Sequence, residues 1–205
     1  DVYAEEERIR HDIRALVNCI QRKVSDSAKP YVHMTATSYD IVDTANAARY
    51  KDVVCEVLIP CLMALEKTLI DIALREAETV QGGRTHGQHA VPITFGFAIA
   101  GYVSRLGGCI ESLTELAQNL PGKFSGAVGA YNASSLFFDD PESFEATVLA
   151  ELDLKPADHS TQIVPPEAFT RLLCEVAMVA GILANLADDM RSPPANGNRR
   201  SGRGV

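Results

Sequence analysis

The sequence has no tryptophan, only 6% aromatic residues, no C-x-x-C pair and no surplus of positive charge. Each shortage excludes something. Acidic side chains outnumber basic ones 27 to 19, for a net charge of −8, which excludes the basic footprint of a nucleic-acid clamp. The five cysteines, Cys19, Cys55, Cys61, Cys109 and Cys174, are an odd number without metal-ligand spacing. Free thiols in a reducing compartment are therefore expected, and no zinc site. No uninterrupted apolar run reaches 18 residues, so no membrane span is expected. The opening DVYAEEER is acidic and lacks the apolar core of a secretory signal. Together these shortages predict a cytoplasmic protein that engages neither membrane nor nucleic acid.

What is present is apolar and aliphatic: 46% of residues are hydrophobic, a mix that suits helix–helix packing. Ile9, Ile13, Leu16, Val17, Ile20 and Val24 form one stripe, predicting an amphipathic helix over 4–25. Thr37-Ser38-Tyr39-Asp40 has the form of a capping box. It opens a second helix predicted to run to about Thr79, with a kink at Pro60. A third is expected from about Pro92 to Leu120; it contains Gly96, Gly101, Gly107 and Gly108, which predict close helix approach. A Gly/Ser/Ala loop over 122–135, a short helix from Pro141 to Leu152 and a helix from Pro166 to Arg191 follow. The fold class expected is all-α, a long-helix bundle, and helices apolar on nearly every side predict a homo-oligomer. Residues 192–205 are polar, Pro/Gly-rich and helix-breaking, the composition of a disordered tail.

Three places gather polar chemistry. Arg10-His11-Asp12 sets cation, imidazole and acid side by side, on the polar face of the predicted first helix. His33 through Thr44 collects hydroxyls and carboxylates at a helix entrance, where free N–H groups and the dipole favour an anion. Gly83 through Pro92 carries His86 and His89 three residues apart. Each has an ordinary structural meaning too: a solvated pair, a helix cap, two histidines with no third ligand. No metal is expected at the last.

Taken in order, these elements resemble the fumarase/aspartase superfamily and, within it, the adenylosuccinate lyases. That family has an R/K-H-D element, then H-x-G-x-T-S-x-D-x-x-D-T, G-R-T-H-G-x-H-A-x-P, a K-x-S-G-A-V-G loop and S-T-Q. Here they read Arg10-His11-Asp12, His33 to Thr44, Gly83 to Pro92, Lys123 to Gly129 and Ser160-Thr161-Gln162. The resemblance implies fumarate elimination from adenylosuccinate, and from succinyl-aminoimidazole-carboxamide ribotide, in purine nucleotide biosynthesis, with no cofactor and with AMP and fumarate as products. It implies His86 as catalytic acid, supported by Thr85 and His89. Thr37 and Ser38 hold a succinyl carboxylate, Arg10, His11 and Asp12 contact the nucleotide, and Gln162 binds substrate. It also implies a cytoplasmic homotetramer built on a twenty-helix core.

The chain departs from the family pattern in three places. Thr35 stands where a glycine is usual, and Pro165-Pro166-Glu167 replaces an Arg-Asp pair after Gln162. The S-S-x-M-P-x-K-x-N-P signature, whose serine is the family's base, does not occur in the 205 residues. Codons compatible with residues 193–205, shifted by one nucleotide, read L-Q-R-T-E-I-G-E-V-G-E-E, similar to the family's continuation after A-D-D-x-R. The expected organisation is therefore a remnant of the N-terminal helical domain over 1–36, a partial bundle domain over 37–191 and a non-native or disordered tail over 192–205. A fragment incomplete at both ends is expected to be inactive alone. Two other readings stay open: a non-catalytic helical oligomerisation or nucleotide-binding module, and a related lyase or cycloisomerase with another substrate.

Overall fold

The computed structural model describes residues 1–86 and 88–191; the expectation for residues 192–205 lies outside them. The described residues divide into two compact units, one of residues 1–52 and 118–169, the other of residues 53–117 and 170–191. Helices dominate, as expected.

In the first unit, two helices replace the single one predicted over 4–25. α1 spans Val2–Ile9 and α2 spans Asp12–Gln21. Arg10 closes α1 in the left-handed conformation (φ 58°), its N–H donating to Glu6 O at 2.7 Å. His11 is extended and caps α2, its Nδ1 accepting from the Arg14 N–H at 3.3 Å. Apolar spacing carries through the junction because Ile9 and Ile13 still face inward; the break is made by capping, which spacing does not register. Arg10, His11 and Asp12 therefore sit at a corner between helices rather than on a helix face. Glu5 clamps the corner: buried, it accepts from Arg8 Nη2 at 2.6 Å and Asn18 Nδ2 at 2.9 Å and pairs with Arg22 at 3.0 Å.

α3, Ser38–Val53, begins where the capping box placed it, with Asp40 Oδ2 accepting from the Thr37 N–H at 2.7 Å. A minimal parallel pair, β3 (Pro121–Gly122) with β4 (Lys155–Pro156), and α6 (Pro141–Ala150) complete this unit. Phe144 stacks on Phe138 at 3.9 Å and meets Phe124 edge-on at 5.8 Å.

In the second unit the predicted kink is a π-helical turn over Val54–Leu58, after which α4 runs from Ile59 to Arg75. Pro60 cannot donate an N–H, and its ring crowds the preceding turn. The wider turn, closed by Ile59 N–H on Val54 O, absorbs it one residue earlier. Strands appear where only a helix start was expected: β1 (Val80–Thr85) and β2 (Gln88–Thr94) form an antiparallel hairpin with a bulge between Gly82 and Arg84. Pro92 is thus a strand residue opposite Gly82, tolerated because both strands of a two-stranded sheet are edges. The third helix, α5, begins later, at Phe95, and ends at Gln118.

Close approach accounts for two of the four α5 glycines. A Cβ on Gly96 would fall 2.3 Å from Ala73 O, and one on Gly107 would fall 2.6 Å from Glu66 Oε1, whereas Gly101 and Gly108 have nothing within 4 Å. The final helix, α7, spans Glu167–Arg191. Buried stripes Ile99, Leu106, Leu113 on α5 and Leu172, Val179, Leu186 on α7 repeat at seven residues, the period of near-parallel helix packing. By length and composition α7 is also apolar enough to cross a membrane. The requirement of an unbroken apolar run missed this because Arg171, Glu175 and Asn185 interrupt it.

Candidate functional site

The site grows from a buried hub. Asp40, in the first turn of α3, is almost fully buried and pairs with the equally buried ammonium of Lys123. The same carboxylate accepts N–H groups from Thr37 at 2.7 Å, Ser125 at 3.2 Å and Gly126 at 3.2 Å. Lys123 Nζ donates again to Gly126 O at 3.0 Å. Its backbone is gripped by Thr44, whose Oγ1 accepts the Lys123 N–H at 3.0 Å and donates to its carbonyl at 2.8 Å. A buried cation and anion paired this closely, with further hydrogen bonds on both, fix the start of α3 against the 123–129 loop.

The loop in turn positions Gln162. Ser125 Oγ lies 2.8 Å from Ser160 Oγ. Gly129 has φ +74°, and a Cβ there would fall 2.2 Å from Ser160 O, so glycine is required on both counts. Beyond Gln162, the Val164 N–H donates to Asp43 Oδ2 at 2.8 Å. Gln162 is thus held between two anchors, one on the loop and one on α3.

These anchors converge on an open cleft of about 540 Å³ whose lining includes Arg10, His11, Asp12, Ser38, Tyr39 and Gln162. The residues come from three separate stretches of chain. Arg10 brings a permanent cation, Ser38 a hydroxyl at a helix N-terminus where N–H groups point outward, and Gln162 an amide that both donates and accepts. The accepted Arg14 N–H places the proton of neutral His11 on Nε2. The same Nδ1 lies 3.4 Å from Asp12 Oδ1. The cleft suits a ligand that carries both negative charge and hydrogen-bonding groups.

Of the nine residues singled out from sequence, Arg10, His11, Asp12, Ser38 and Gln162 meet in this cleft, and Thr37 stands directly behind Ser38 as the cap of α3. Thr85, His86 and His89 stand together on the β1–β2 hairpin of the second unit. Thr85 pairs with Gln88 and His89 with Arg84, and His86 is exposed at the turn with φ 55°. His89 lines a cavity of about 500 Å³ in that unit. Across it, the Tyr102 hydroxyl donates to Asp189, and burial, reinforced by that carboxylate, pushes the phenol up to about 12.

Sequence reasoning passed over His33, Asp40 and Lys123. His33, left-handed at φ 65°, is half-buried, and burial holds its imidazole below the ordinary value against the pull of Asp40. Its signal was its place at the head of the Thr37-Ser38 motif. Asp40 and Lys123 were legible as a cap residue and a loop residue, but not as partners.

A family model described as "Lyase" matches residues 3–194. The adenylosuccinate lyase of Pyrococcus abyssi (strain GE5 / Orsay) is 37% identical over 188 residues, 91% of this chain and 41% of that relative. The chain therefore spans less than half the length of the curated relative it matches. Among solved structures, a fumarate lyase from Mesorhizobium sp. BNC1 superposes with TM-score 0.82 at 28% identity, covering 93% of this chain and 44% of that one. The 3-carboxy-cis,cis-muconate lactonizing enzyme from Pseudomonas putida gives TM-score 0.77 at 28% identity, covering 92% and 43%. Spanning residues 3–194, the family match takes in both the cleft and the hairpin histidines: the chain belongs to the lyase family.

Proposed function

We propose that this chain is part of a fumarate-releasing C–N lyase acting on adenylosuccinate and on succinyl-aminoimidazole-carboxamide ribotide, in a cytoplasmic homotetramer. In that reaction a base removes the Cβ proton and the freed electron pair forms the C=C bond of fumarate. The C–N bond breaks, and the departing nitrogen takes a proton, leaving AMP or the aminoimidazole-carboxamide ribotide. The developing aci-carboxylate needs fixed donors. The supporting observation is the convergence of Arg10, His11, Ser38 and Gln162 on one open cleft, with a helix start and a cation where a dicarboxylate needs them.

His86 is assigned the acid role, since an imidazole ordinarily titrates near neutrality. Thr85 and His89 are assigned its support, and Asp12 is assigned to nucleotide contact beside His11. The serine base belongs to a signature the 205 residues do not contain, so binding without turnover is expected of this chain alone. Calorimetry with AMP and with succinate tests the first statement: both bind, and Arg10→Ala weakens AMP about tenfold, the loss of one charge-assisted contact. Absence of binding by either ligand overturns the reading. A spectrophotometric assay tests the second, which fails if the chain cleaves adenylosuccinate. The likeness to the muconate lactonizing enzyme, together with Pro165-Pro166 beside Gln162, supports a second reading, a related enzyme with a different dicarboxylate. Selective binding of such an acid over succinate would favour it.

A further inference from the structure

One buried acid has no part in the chemistry above. Glu145, on α6, is only 2% exposed, yet both of its carboxylate oxygens are engaged. Oε1 accepts the Phe124 N–H at 2.5 Å, and Oε2 accepts the Tyr131 hydroxyl. A single carboxylate therefore closes the chain from 124 to 131 into a ring. Taking such a group out of water is costly unless its oxygens are hydrogen-bonded. The two contacts offset that cost, so the position of the loop is tied to that of α6.

The ring reaches the cleft by short steps. Tyr131 is left-handed at φ 55°, and its N–H donates to Ser125 O at 3.0 Å. Ser125 Oγ meets Ser160 Oγ at 2.8 Å, two residues before Gln162. Between Ser125 and Tyr131, Gly129 packs against Ser160 so closely that no Cβ fits. Burial, and then the Glu145 carboxylate, raise the Tyr131 phenol above its ordinary value, so it stays an O–H donor near neutral pH. The loop is thus gripped from two helices. Asp40 on α3 holds it at Ser125 and Gly126, and Glu145 on α6 holds it at Phe124 and Tyr131.

We propose that Glu145 is a positioning residue of the cleft: through Phe124 and Tyr131 it fixes the loop, and through Ser125 and Ser160 the loop aims Gln162. The proposal rests on the lyase reading above for what Gln162 binds, and adds how that amide is held. No residue of α6 lines the cleft, so Glu145 acts without touching a ligand. Its hold is exerted through hydrogen bonds, which makes it separable from the packing of α6.

Hydrogen exchange over residues 160–164, followed by mass spectrometry, tests the positioning with no ligand present. Calorimetry with AMP and with succinate tests its consequence. Tyr131→Phe removes one contact of Glu145, and Glu145→Ala removes both. Each is expected to speed exchange over 160–164, by about tenfold in Glu145→Ala, the scale of hydrogen bonds to a charged group. Exchange in α2, which none of these bonds reaches, stays unchanged. Glu145→Gln is the rescue: its carbonyl oxygen accepts the Phe124 N–H and its amide donates to Tyr131 Oη, so exchange returns close to that of the unaltered chain.

In calorimetry, Tyr131→Phe and Glu145→Ala weaken whichever ligand Gln162→Ala weakens. Both lose that effect in the Gln162→Ala background, because a residue acting through Gln162 then has nothing to aim. Unchanged exchange over 160–164 in both variants overturns the proposal. Equal weakening with and without Gln162 also overturns it, as does ligand binding that Gln162→Ala leaves unaltered. If Glu145→Ala does not fold by circular dichroism, Tyr131→Phe decides by the same readings. If the unaltered chain binds neither AMP nor succinate, the lyase reading falls, and exchange over 160–164 decides the positioning alone.

Discussion

At Thr35 a β-branched residue takes φ +61°, and its hydroxyl is buried with no hydrogen-bond partner. Both features cost free energy: a left-handed β-branched residue about 1–2 kcal/mol, an unsatisfied buried hydroxyl about 1–3 kcal/mol. Glycine removes both, loses a small methyl contact and gives the unfolded chain more freedom. Thr35→Gly is therefore expected to stabilise by about 1 kcal/mol, seen as a higher urea midpoint at unchanged slope; an unchanged or lower midpoint refutes the strain. At Asp40 the sign reverses. Asp40→Ala leaves the Lys123 ammonium buried without its anion and is expected to cost about 3–5 kcal/mol. Adding Lys123→Met should recover part of that loss, a coupling a double-mutant cycle reads directly. The two positions also show what a sequence displays. Thr37-Ser38-Tyr39-Asp40 was readable as a helix start because its bonds close within four residues, and Thr35 was readable as an anomaly. The Lys123 partner of Asp40 lies 83 positions away, and no local pattern names it.

Helices with strong internal spacing were legible as elements, and their junctions were not. The α1–α2 corner turns on one left-handed residue and one imidazole cap, while the hydrophobic stripe runs on as if nothing happened. The β1–β2 hairpin was hidden because its strands carry Gly82, Gly83 and Pro92, residues that weaken any strand signal. The corner makes a pH prediction. Folding holds the Glu5 carboxyl at about 2, below its ordinary 4.5, first through Arg8, then through Asn18 and Arg22. The charged form is the one the fold favours, so its contribution is complete above about pH 4.5 and is lost as pH falls toward 2. Comparing the unaltered chain with Glu5→Gln in thermal melts across that range should show a stability gap that is flat above pH 5 and closes toward pH 2. A gap that does not vary with pH would show that Glu5 acts through packing alone.

Across the whole molecule, burial is uneven. Val53, Val57, Met63, Ile70, Leu74, Phe97, Leu173 and Met178 belong to the second unit and are all at least 40% exposed. Apolar surface on this scale calls for a covering layer, and α7 could satisfy the length and composition of a membrane segment. Its polar groups argue for protein neighbours instead. Asn185 accepts from Arg105 at 3.2 Å, Asp189 accepts from the Tyr102 hydroxyl, and Glu175 is bonded to Cys109, whose thiol burial and that carboxylate raise to about 11. These contacts spread along α7, from Glu175 to Asp189, so lipid around the helix would have to meet it at several polar positions, each expensive in hydrocarbon. A second copy of the chain offers matching aliphatic faces without that penalty, and symmetric association is the common outcome for such surfaces. Sedimentation velocity should therefore show self-association that tightens with concentration. Leu74→Glu and Met178→Glu, at exposed positions whose change leaves each unit's buried stripes intact, should shift the chain toward monomer while helical circular dichroism is retained. A chain that stays monomeric at every concentration, or that partitions into neutral lipid vesicles while the glutamate variants do not, would reverse the assignment and make lipid the covering layer.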